Sequence, residues 1–462
     1  MIDILVILTC LFIVMSVLRR YSPFQKWMAQ RIDNALHKSQ LTTILYSPSL
    51  RLIPKNANPN DMNNIENFFI SNNTSNLKSI SESLRQLKEY SIKAHNANGT
   101  IFKRTRELSN DMINQLRELQ YFSKITKINE SIQSNGQMID LLIESFLNDL
   151  VNVNLNSLNN DNKKFLYEQL NDICKNVGYA ITPEYQLTKI LNFEPDSLYI
   201  NSDQYRVVEA VSHICRDWSQ PFQNERTPIE EFVLNQLETL NFNNQVERNL
   251  VVMPGAGLGR LSHNIATKFP SVKVQSIEWS TLMYICNMAI YSTSHDLEIR
   301  PFAMHYSGQL STSDQIRPYE IQTSSITKPN NLDVLLGDFR TYVPSTGVQN
   351  GKYETITVVT PFFIDTAENL FEYIETIESL RYHCKTVQWI NVGPLKYGTR
   401  PLVQLNVEEL EKLRKIRGWV DISQLVSTDY EELNGYLTDT KSLYQGYYGL
   451  LKFHSKLTNP GM

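Results

Sequence analysis

The stretch NLVVMPGAGLGR, residues 249–260, joins an apolar run to a turn rich in glycine. A segment with helical spacing follows over residues 258–268, and a second short apolar run, residues 272–277, ends beside Glu278. A strand, a glycine turn, a helix, a second strand and an acidic residue, in this order, form the nucleotide-binding crevice of a parallel α/β sheet. The stretch therefore predicts a ligand site at the carboxyl end of its first strand.

The spacing of the glycines indicates which ligand the turn suits. Gly255, Gly257 and Gly259 follow the pattern G-x-G-x-G, whereas a dinucleotide pyrophosphate is typical of G-x-G-x-x-G. A backbone without side chains lets a ligand approach closely and tolerates positive φ. The pattern favours a compact adenosyl group, with Glu278 accepting hydrogen bonds from the ribose hydroxyls. Glycine turns between a strand and a helix also arise from packing alone, and this alternative stays open.

Bulk composition excludes several classes of protein. The chain has 462 residues, of which 42% are hydrophobic and 20% charged, enough for more than one folded core. A formal net charge of −4 lacks the electrostatic footprint of a nucleic-acid binder. Five scattered cysteines without a C-x-x-C pair indicate reduced thiols in a cytosolic setting. The sequence shows no metal-ligand spacing, and we predict neither a metal nor a nucleic-acid partner.

An uncharged apolar run at the N-terminus, residues 4–18, is followed at once by Arg19 and Arg20. The run is short for a hydrocarbon core of about 30 Å, but flanking arginines extend such segments by snorkelling. We predict a single N-terminal anchor over residues 1–20. The positive-inside rule then places the protein on the cytoplasmic face of a membrane, and otherwise in the cytosol. A buried helix of the folded body is the alternative.

Three further regions follow the anchor. Prolines punctuate residues 21–59, which we interpret as a linker, and residues 60–200 show the spacing of a helical N-terminal domain. From residue 249 onward, short apolar runs alternate with helical segments, which predicts a parallel sheet with helices on its faces. The candidate parallel strands are residues 250–253, 272–277, 334–336, 355–359 and 387–390.

The end of the chain departs from that alternation. Residues 420–427 and 447–453 look like a closing antiparallel pair. An antiparallel terminal strand is what class I methyltransferases add to the dinucleotide-binding plan. The predicted fold is therefore α/β, a Rossmann-like class I methyltransferase sheet with an antiparallel terminal strand, preceded by an α-helical N-terminal domain. We assign residues 201–462 to the methyltransferase domain.

Several sequence blocks together resemble one family, the N2227-like or carnosine N-methyltransferase proteins. In family order they are RDWS at 216–219, ER at 225–226, VMPGAGLGRL at 252–261, EWS at 278–280, SDQIRP at 313–318, GDF at 337–339, FFIDTA at 362–367 and WINVGPL at 389–395. A glycine loop alone is common, but D-Q-I-R-P and F-F-I-D-T-A in this order are much more specific. The blocks extend over a little over half of the chain.

The resemblance implies transfer of a methyl group from S-adenosylmethionine to an imidazole nitrogen of a carnosine-like histidine dipeptide. Gly255 matches the glycine under the cofactor, and Asp338 with Phe339 matches the pair that flanks the adenine. Arg216 matches the residue that reaches over the methionine end, where it would pair with the carboxylate. His213, one turn earlier, stands where the family has glutamine. The physical alternative for Asp338 is that it only caps a turn.

On the substrate side, the resemblance implies a role for Asp365, at the carboxyl end of a central strand, in holding the acceptor imidazole. Capping of the helix that follows is the alternative. Tyr447 belongs to a partly kept tyrosine cluster and is a second candidate substrate contact. Pro361 replaces a family cysteine, and we count it among the cofactor-binding positions. Gly398 replaces a family histidine that contacts the substrate.

These departures keep other hypotheses open. The acceptor is a small-molecule or peptide imidazole, a peptidyl histidine or some other nucleophile. A membrane-tethered scaffold with a catalytically weak methyltransferase fold is a further alternative, and a nicotinamide-dependent oxidoreductase is disfavoured by the glycine spacing. The sequence also leaves a homodimer open. A long loop that carries His305, Ser307 and Arg317 is predicted to cover the pocket.

Overall fold

The structure is a computed structural model that describes residues 44–45, 53–54, 74–156, 163–193, 204–242, 248–344, 352–398 and 400–458. The predicted anchor, residues 1–20, lies outside these ranges, and so does most of the predicted linker. Within the linker, strands β1 (Ile44–Leu45) and β2 (Ile53–Pro54) pair antiparallel. Across the described ranges, each helix is too short or too polar to cross a membrane.

The N-terminal region is mainly helical. Its helices are α1 (Thr74–Lys88), α2 (Tyr90–Arg104), α3 (Asn110–Glu118), α4 (Tyr121–Val151) and α5 (Lys163–Lys175). A short hairpin follows, formed by β3 (Tyr179–Ile181) and β4 (Leu187–Lys189). Apolar side chains of α4 recur every three or four positions and are buried. In the sequence, the helical spacing of apolar residues extends back from α4 to Met112. The helix itself is interrupted at Gln120, whose φ of 56° is left-handed, and Met112 is exposed.

The C-terminal region begins with α6 (Gln204–Trp218) and α7 (Gln223–Glu238) and then forms a seven-stranded sheet. Its strands are β5 (Asn249–Pro254), β6 (Lys273–Glu278), β9 (Leu332–Leu336), β10 (Tyr353–Pro361), β11 (Cys384–Gly393), β12 (Trp419–Ser427) and β15 (Leu450–Leu457). Helices α8 (Arg260–Lys268), α9 (Thr281–Ser292), α11 (Leu370–Ser379) and α12 (Val407–Ile416) connect them. Shorter elements are β7 (Leu297–Ile299), α10 (Thr312–Gln315), β8 (Tyr319–Ile321), β13 (Asn434–Gly435) and β14 (Tyr447–Tyr448).

The strand order across this sheet is β12-β15-β11-β10-β5-β6-β9. The last strand of the chain, β15, lies between β11 and β12 and is antiparallel to both, whereas the pairs that join β11, β10, β5, β6 and β9 are all parallel. This arrangement confirms the predicted fold class. The boundary of the terminal strand differs from the prediction, because Tyr447 and Tyr448 pair with β13 and β15 begins only at Leu450.

Helix α9 joins the helical region to the sheet. It lies directly after β6, and nine of its twelve residues are buried. Tyr284 on α9 packs edge-on against Phe146 of α4, with ring centroids 6.5 Å apart. The hydroxyls of Ser79 on α1 and Thr281 on α9 are within 2.6 Å of each other. These contacts place α1 beside the carboxyl ends of β5 and β6.

Candidate active site

The glycine loop after β5 has the backbone conformation that its sequence predicts. Gly255, Gly257 and Gly259 have φ values of 62°, 55° and 80°, a region that side chains disfavour. A Cβ on Gly255 would lie 2.4 Å from the Phe363 ring, and one on Gly259 would lie 2.5 Å from the Asn287 amide. A Cβ on Gly257 would meet open space. Gly257 therefore faces the site, whereas the other two permit close packing.

Glu278 closes the same loop from the end of β6. Its side chain accepts the backbone N–H of Gly257 at 2.8 Å and that of Ser280 at 2.7 Å. Only 8% of the residue is exposed. Burial raises the pKa of this carboxyl, although the backbone hydrogen bonds oppose the shift. The acid predicted to hold a ribose is thus fixed against the glycine loop.

Asp338 and Phe339 follow the end of the neighbouring strand β9. Asp338 lines the site, and its side chain also accepts the backbone N–H of Arg340 at 2.9 Å as the cap of a short helical turn. The Arg340 guanidinium also donates to both carboxylate oxygens, at 2.6 and 3.1 Å. Phe339 is buried and packs edge-on against Phe363, with centroids 5.8 Å apart.

A cavity of about 640 Å³ joins these groups at the carboxyl edge of the sheet. Eight of the predicted cofactor-binding residues line it: His213, Arg216, Gly255, Gly257, Glu278, Asp338, Phe339 and Pro361. Gly259 lies behind the loop and contributes no lining surface. Most of the predicted cofactor-binding positions therefore lie together, and those at strand ends do so because parallel strands bring their carboxyl ends to one edge.

Arg216, on the last turn of α6, lines the cavity and is also paired with two neighbouring acids. Its Nη1 donates to Asp217 at 2.9 Å, and its Nε lies 3.8 Å from Glu225. The guanidinium carbon is 4.2 Å from the centroid of the Tyr436 ring. The buried Nε has no hydrogen-bond partner among the described residues.

His213 lies one turn before Arg216 and faces the same aromatic ring. Its imidazole packs edge-on against Tyr436, with centroids 5.4 Å apart. Burial lowers the pKa of His213 to about 4, although Asp217 opposes the shift. The ring is therefore neutral at neutral pH and does not add positive charge to the cavity.

The two predicted substrate residues do not line this cavity. Asp365 is buried beside the chain segment that follows β11, where its Oδ2 accepts the backbone N–H of Lys396 at 3.0 Å. Burial raises the pKa of Asp365 to about 6. Tyr447 lines a separate cavity near Glu225, and its hydroxyl donates to Gln445 at 2.8 Å. Gly398 has open space where a side chain would project.

Sequence reasoning missed many residues of the wall, among them Tyr436, Arg260 and one face of α1. Tyr436 comes from a loop near the C-terminus, and Arg260 from the first turn of α8, where its guanidinium lies 5.0 Å from the Trp218 ring centroid. A polar face of α1 forms a further part of the wall, through Ser79, Glu82, Ser83 and Gln86. The G-R pair that ends the glycine block was a usable signal for Arg260. Nothing in the local sequence indicates that α1 reaches the cavity.

Comparisons with known proteins identify this arrangement. The sequence profile of the family described as Carnosine N-methyltransferase matches residues 195–459. The chain belongs to this family. A Saccharomyces cerevisiae protein described as uncharacterized is 38% identical over 97% of both chains. The carnosine N-methyltransferase of Schizosaccharomyces pombe is 27% identical over 47% of this chain and 64% of its own length. That of Mus musculus is 25% identical over 54% of this chain and 62% of its own length.

Solved structures add a fold comparison. Magnesium protoporphyrin IX methyltransferase from Synechocystis, solved with S-adenosylhomocysteine, is 13% identical, with a TM-score of 0.32 over 55% of this chain and 100% of that one. Carnosine N-methyltransferase family members use S-adenosylmethionine, which is the cofactor of this chain. The resemblance in sequence to the N2227-like or carnosine N-methyltransferase proteins is thereby confirmed, and class I methyltransferase topology accompanies it.

The described residues fit this cofactor. The cavity volume of about 640 Å³ lies within the range of small-molecule and cofactor sites. Gly257 leaves the floor open, Glu278 supplies a buried acceptor and Phe339 an aromatic edge. When bound, the cofactor supplies a methyl group on a positively charged sulfur. Over the described ranges, no group of three or more His, Cys, Asp or Glu side chains is placed to hold a metal.

Proposed function

We propose that this protein transfers a methyl group from S-adenosylmethionine to an imidazole nitrogen of a small histidine-containing compound. The observation that carries the proposal is the family match over residues 195–459, which includes the F-F-I-D-T-A block on the acceptor side. The carnosine N-methyltransferases named above are 25–27% identical over about half of this chain. We therefore propose the same class of acceptor for this protein.

An aromatic surface beside the cavity supports an imidazole acceptor. Phe362, at the end of β10, has a φ of 49°, a conformation that side chains seldom adopt and that clusters at functional sites. Its ring lies 4.7 Å from that of Tyr436 and 6.1 Å from that of Tyr448, centroid to centroid. Flat aromatic faces suit a neutral heteroaromatic ring. Since the donor is cationic and the nucleophile neutral, positioning contributes more than acid–base chemistry.

Asp365 is our proposed orienting group for the acceptor. One carboxylate oxygen accepts the Lys396 N–H. In the proposed complex the carboxylate also accepts the imidazole N–H and turns the other ring nitrogen toward the methyl group. Because Asp365 is 7% exposed and does not line the cavity, this role requires residues 394–398 to move. Tyr447 is the proposed contact for a more distant part of the acceptor.

A second acceptor class is favoured by one observation. A side chain on Gly398 would meet open space, and the family histidine implied at this position is missing. Pro361 likewise replaces a family cysteine at the cavity wall. The absence of both family side chains favours a peptidyl histidine, or another nucleophile, as the second candidate acceptor.

The decisive experiment incubates the full-length protein with methyl-labelled S-adenosylmethionine and three acceptor sources: carnosine, a histidine-containing peptide and a cell metabolite extract. Mass spectrometry of the products is expected to place the label on an imidazole nitrogen. The Gly257→Arg variant serves as the inactive control. Binding of S-adenosylhomocysteine without a labelled imidazole product from any source would contradict the proposal and indicate a scaffold.

We also propose that residues 1–20 hold the protein on the cytoplasmic face of a membrane. The support is the uncharged run over residues 4–18 that precedes Arg19 and Arg20. Alkaline carbonate extraction of membranes from cells that express the full chain tests this. Recovery in the soluble fraction would contradict a spanning segment.

A further inference from the structure

A loop near the C-terminus carries an aromatic ring into the cavity. We name residues 434–443 the Tyr436 loop. The Tyr436 ring lies 4.2 Å from the Arg216 guanidinium carbon and 4.7 Å from the Phe362 ring centroid. Burial raises the pKa of Tyr436 to about 12, so the phenol is neutral at neutral pH. The ring thus packs on both the cofactor side and the acceptor side of the cavity.

Glu225, from the start of α7, fastens the first half of the loop. Its two carboxylate oxygens accept the backbone N–H groups of Leu437 at 2.8 Å and Thr438 at 2.9 Å. The Asn434 side chain donates to the Glu225 carbonyl at 3.1 Å. Leu437 has a φ of 55°, a left-handed conformation that costs free energy unless neighbouring contacts hold it. Glu225 therefore stabilises an otherwise disfavoured turn.

Arg317, from the D-Q-I-R-P block, fastens the second half. Its Nη2 forms an ion pair with Asp439, and its Nε donates to the Tyr319 hydroxyl at 2.8 Å. The guanidinium also lies 4.6 Å from the Phe302 ring centroid. Asp439 accepts a second hydrogen bond from Gln309 at 2.9 Å. Burial alone would raise the pKa of Asp439, but these hydrogen bonds outweigh it and hold the pKa below its ordinary value.

Backbone pairing joins the same two segments. Leu443 donates its N–H to the Gly308 carbonyl at 2.6 Å, and Leu310 donates to the Lys441 carbonyl at 3.3 Å. None of His305, Ser307 and Arg317, on the long loop predicted to cover the pocket, lines the cavity. Residues 308–317 of that loop instead support the Tyr436 loop, which carries Tyr436 into the cavity wall.

We propose that Arg317 and Glu225 are positioning residues for methyl transfer, which hold the Tyr436 loop closed so that Tyr436 packs against Arg216 and Phe362. Neither the Glu225 carboxylate nor the Arg317 guanidinium lines the cavity, so Arg317 acts through the Tyr436 loop, and Glu225 acts through that loop and through its ion pair with Arg216. The inference rests on the proposed function only for the measurement of turnover, and the measurements of affinity and hydrogen exchange do not depend on it. It also assigns a role to Arg317 of the D-Q-I-R-P block, which the proposed cofactor and acceptor contacts do not involve.

A double-mutant cycle on S-adenosylhomocysteine affinity tests this inference by calorimetry of the full-length protein. Arg317→Met and Tyr436→Ala are each expected to weaken binding about tenfold, within the range between exposed and desolvated cation–aromatic contacts. If Arg317 acts through Tyr436, the double variant binds no more weakly than Tyr436→Ala alone. Losses that multiply to about a hundredfold would overturn the inference, because the two residues would then act independently.

Conservative and control variants separate positioning from folding. Arg317→Lys keeps the charge opposite Asp439 and is expected to recover most of the affinity, whereas Asp439→Asn should match Arg317→Met. Arg300→Met removes another arginine of the same long segment, which pairs with Glu298, and should leave affinity unchanged. If Arg317→Met fails to fold, Asp439→Asn carries the test.

Hydrogen exchange gives a readout that does not depend on the acceptor. In Asp439→Asn, amide exchange over residues 436–443 should rise about tenfold or more while exchange in β5 stays unchanged. Unchanged exchange in the Tyr436 loop would overturn the inference. Once an acceptor is established, kcat/KM should fall in parallel. A failure to find any imidazole acceptor would defeat the proposed function and leave the affinity and exchange results standing.

Discussion

The backbone N–H of Gly257 donates to the side chain of Glu278 over 2.8 Å, so the glycine loop and the predicted ribose-binding acid form one unit. Gly257 follows β5 and Glu278 ends β6, and these two strands lie side by side in the sheet. A change in the acid therefore disturbs both the loop and any hydroxyl group bound to it.

Glu278→Gln is expected to weaken S-adenosylhomocysteine binding about tenfold, because a hydrogen bond to a charged group contributes about 1.5–3 kcal/mol. Glu278→Ala should cost about ten times more, since it also leaves the Gly257 N–H without an acceptor. Titration calorimetry measures both. Glu368→Gln, at an exposed acid outside the cavity, is the matched control. Dissociation constants for the Glu278 variants equal to that of the control would contradict the assignment.

Gly257→Arg should abolish S-adenosylhomocysteine binding while the protein stays folded. A side chain at this position projects into open space at the cavity wall, so the arginine competes with the ligand instead of clashing with the protein. The positive φ adds a strain of about 1–2 kcal/mol. Gly446→Arg, where a side chain also meets open space but φ is not positive, is the control. Retained binding in Gly257→Arg would place the cofactor elsewhere.

The pH dependence of kcat/KM tests Asp365, provided that the acceptor is an imidazole. Burial raises the pKa of Asp365 to about 6, and the acceptor ring must also be unprotonated to attack. Two protons then leave on the acidic side, so the logarithm of kcat/KM should rise with a slope of about two below pH 6. Asp365→Asn removes one titration and should show a slope of about one. An unchanged slope would rule out an ionised Asp365 in the reaction.

Acid should destabilise the protein through its buried histidines. Burial lowers the pKa of His213, His263 and His454 to about 4 each. Because the unfolded chain takes up these protons near pH 6.5, stability is complete above that value and falls as the pH drops toward about 4. For each histidine the loss between pH 7 and 5 is about 2 kcal/mol.

His454 offers the cleanest variant for that measurement. Its ring nitrogens lie 3.1 Å from the side-chain oxygens of Gln236 and Gln388, away from the cavity. His454→Gln should reduce the difference in unfolding free energy between pH 7 and 5, as measured with denaturant. His295→Gln, at an exposed position, should leave that difference as it is in the unmodified protein. Equal pH dependence in both variants would show that His454 is accessible to protons.

The cofactor side of the site was predictable from sequence for a topological reason. Gly257, Glu278 and Asp338 each follow an apolar strand, and parallel strands bring such positions to one edge of the sheet. A short apolar run identifies the strand, and the residue after the run is then placed at the edge of the sheet without further information. The same rule placed Asp365 at that edge but did not show that Lys396 holds its carboxylate away from the cavity.

The rest of the wall depends on contacts between distant parts of the chain. Arg317 and Asp439 are separated by 122 positions, and Ser79 and Thr281 by 202. Helical spacing shows which face of a segment is buried, but not which partner covers it. Tyr436 therefore looked like one more aromatic residue in a tyrosine-rich terminus. Helical spacing can also predict burial wrongly, as at Met112, which keeps the spacing but lies on an exposed face of α3.

The polar face of α1 has a consequence for the cavity wall. Ser79, Glu82, Ser83 and Gln86 line the cavity, yet they precede the region shared with the carnosine N-methyltransferases by sequence profile. The cavity is thus built partly from a helix that lies upstream of the shared region. Exchange of side chains on this helix would alter the cavity wall while the shared region stays unchanged.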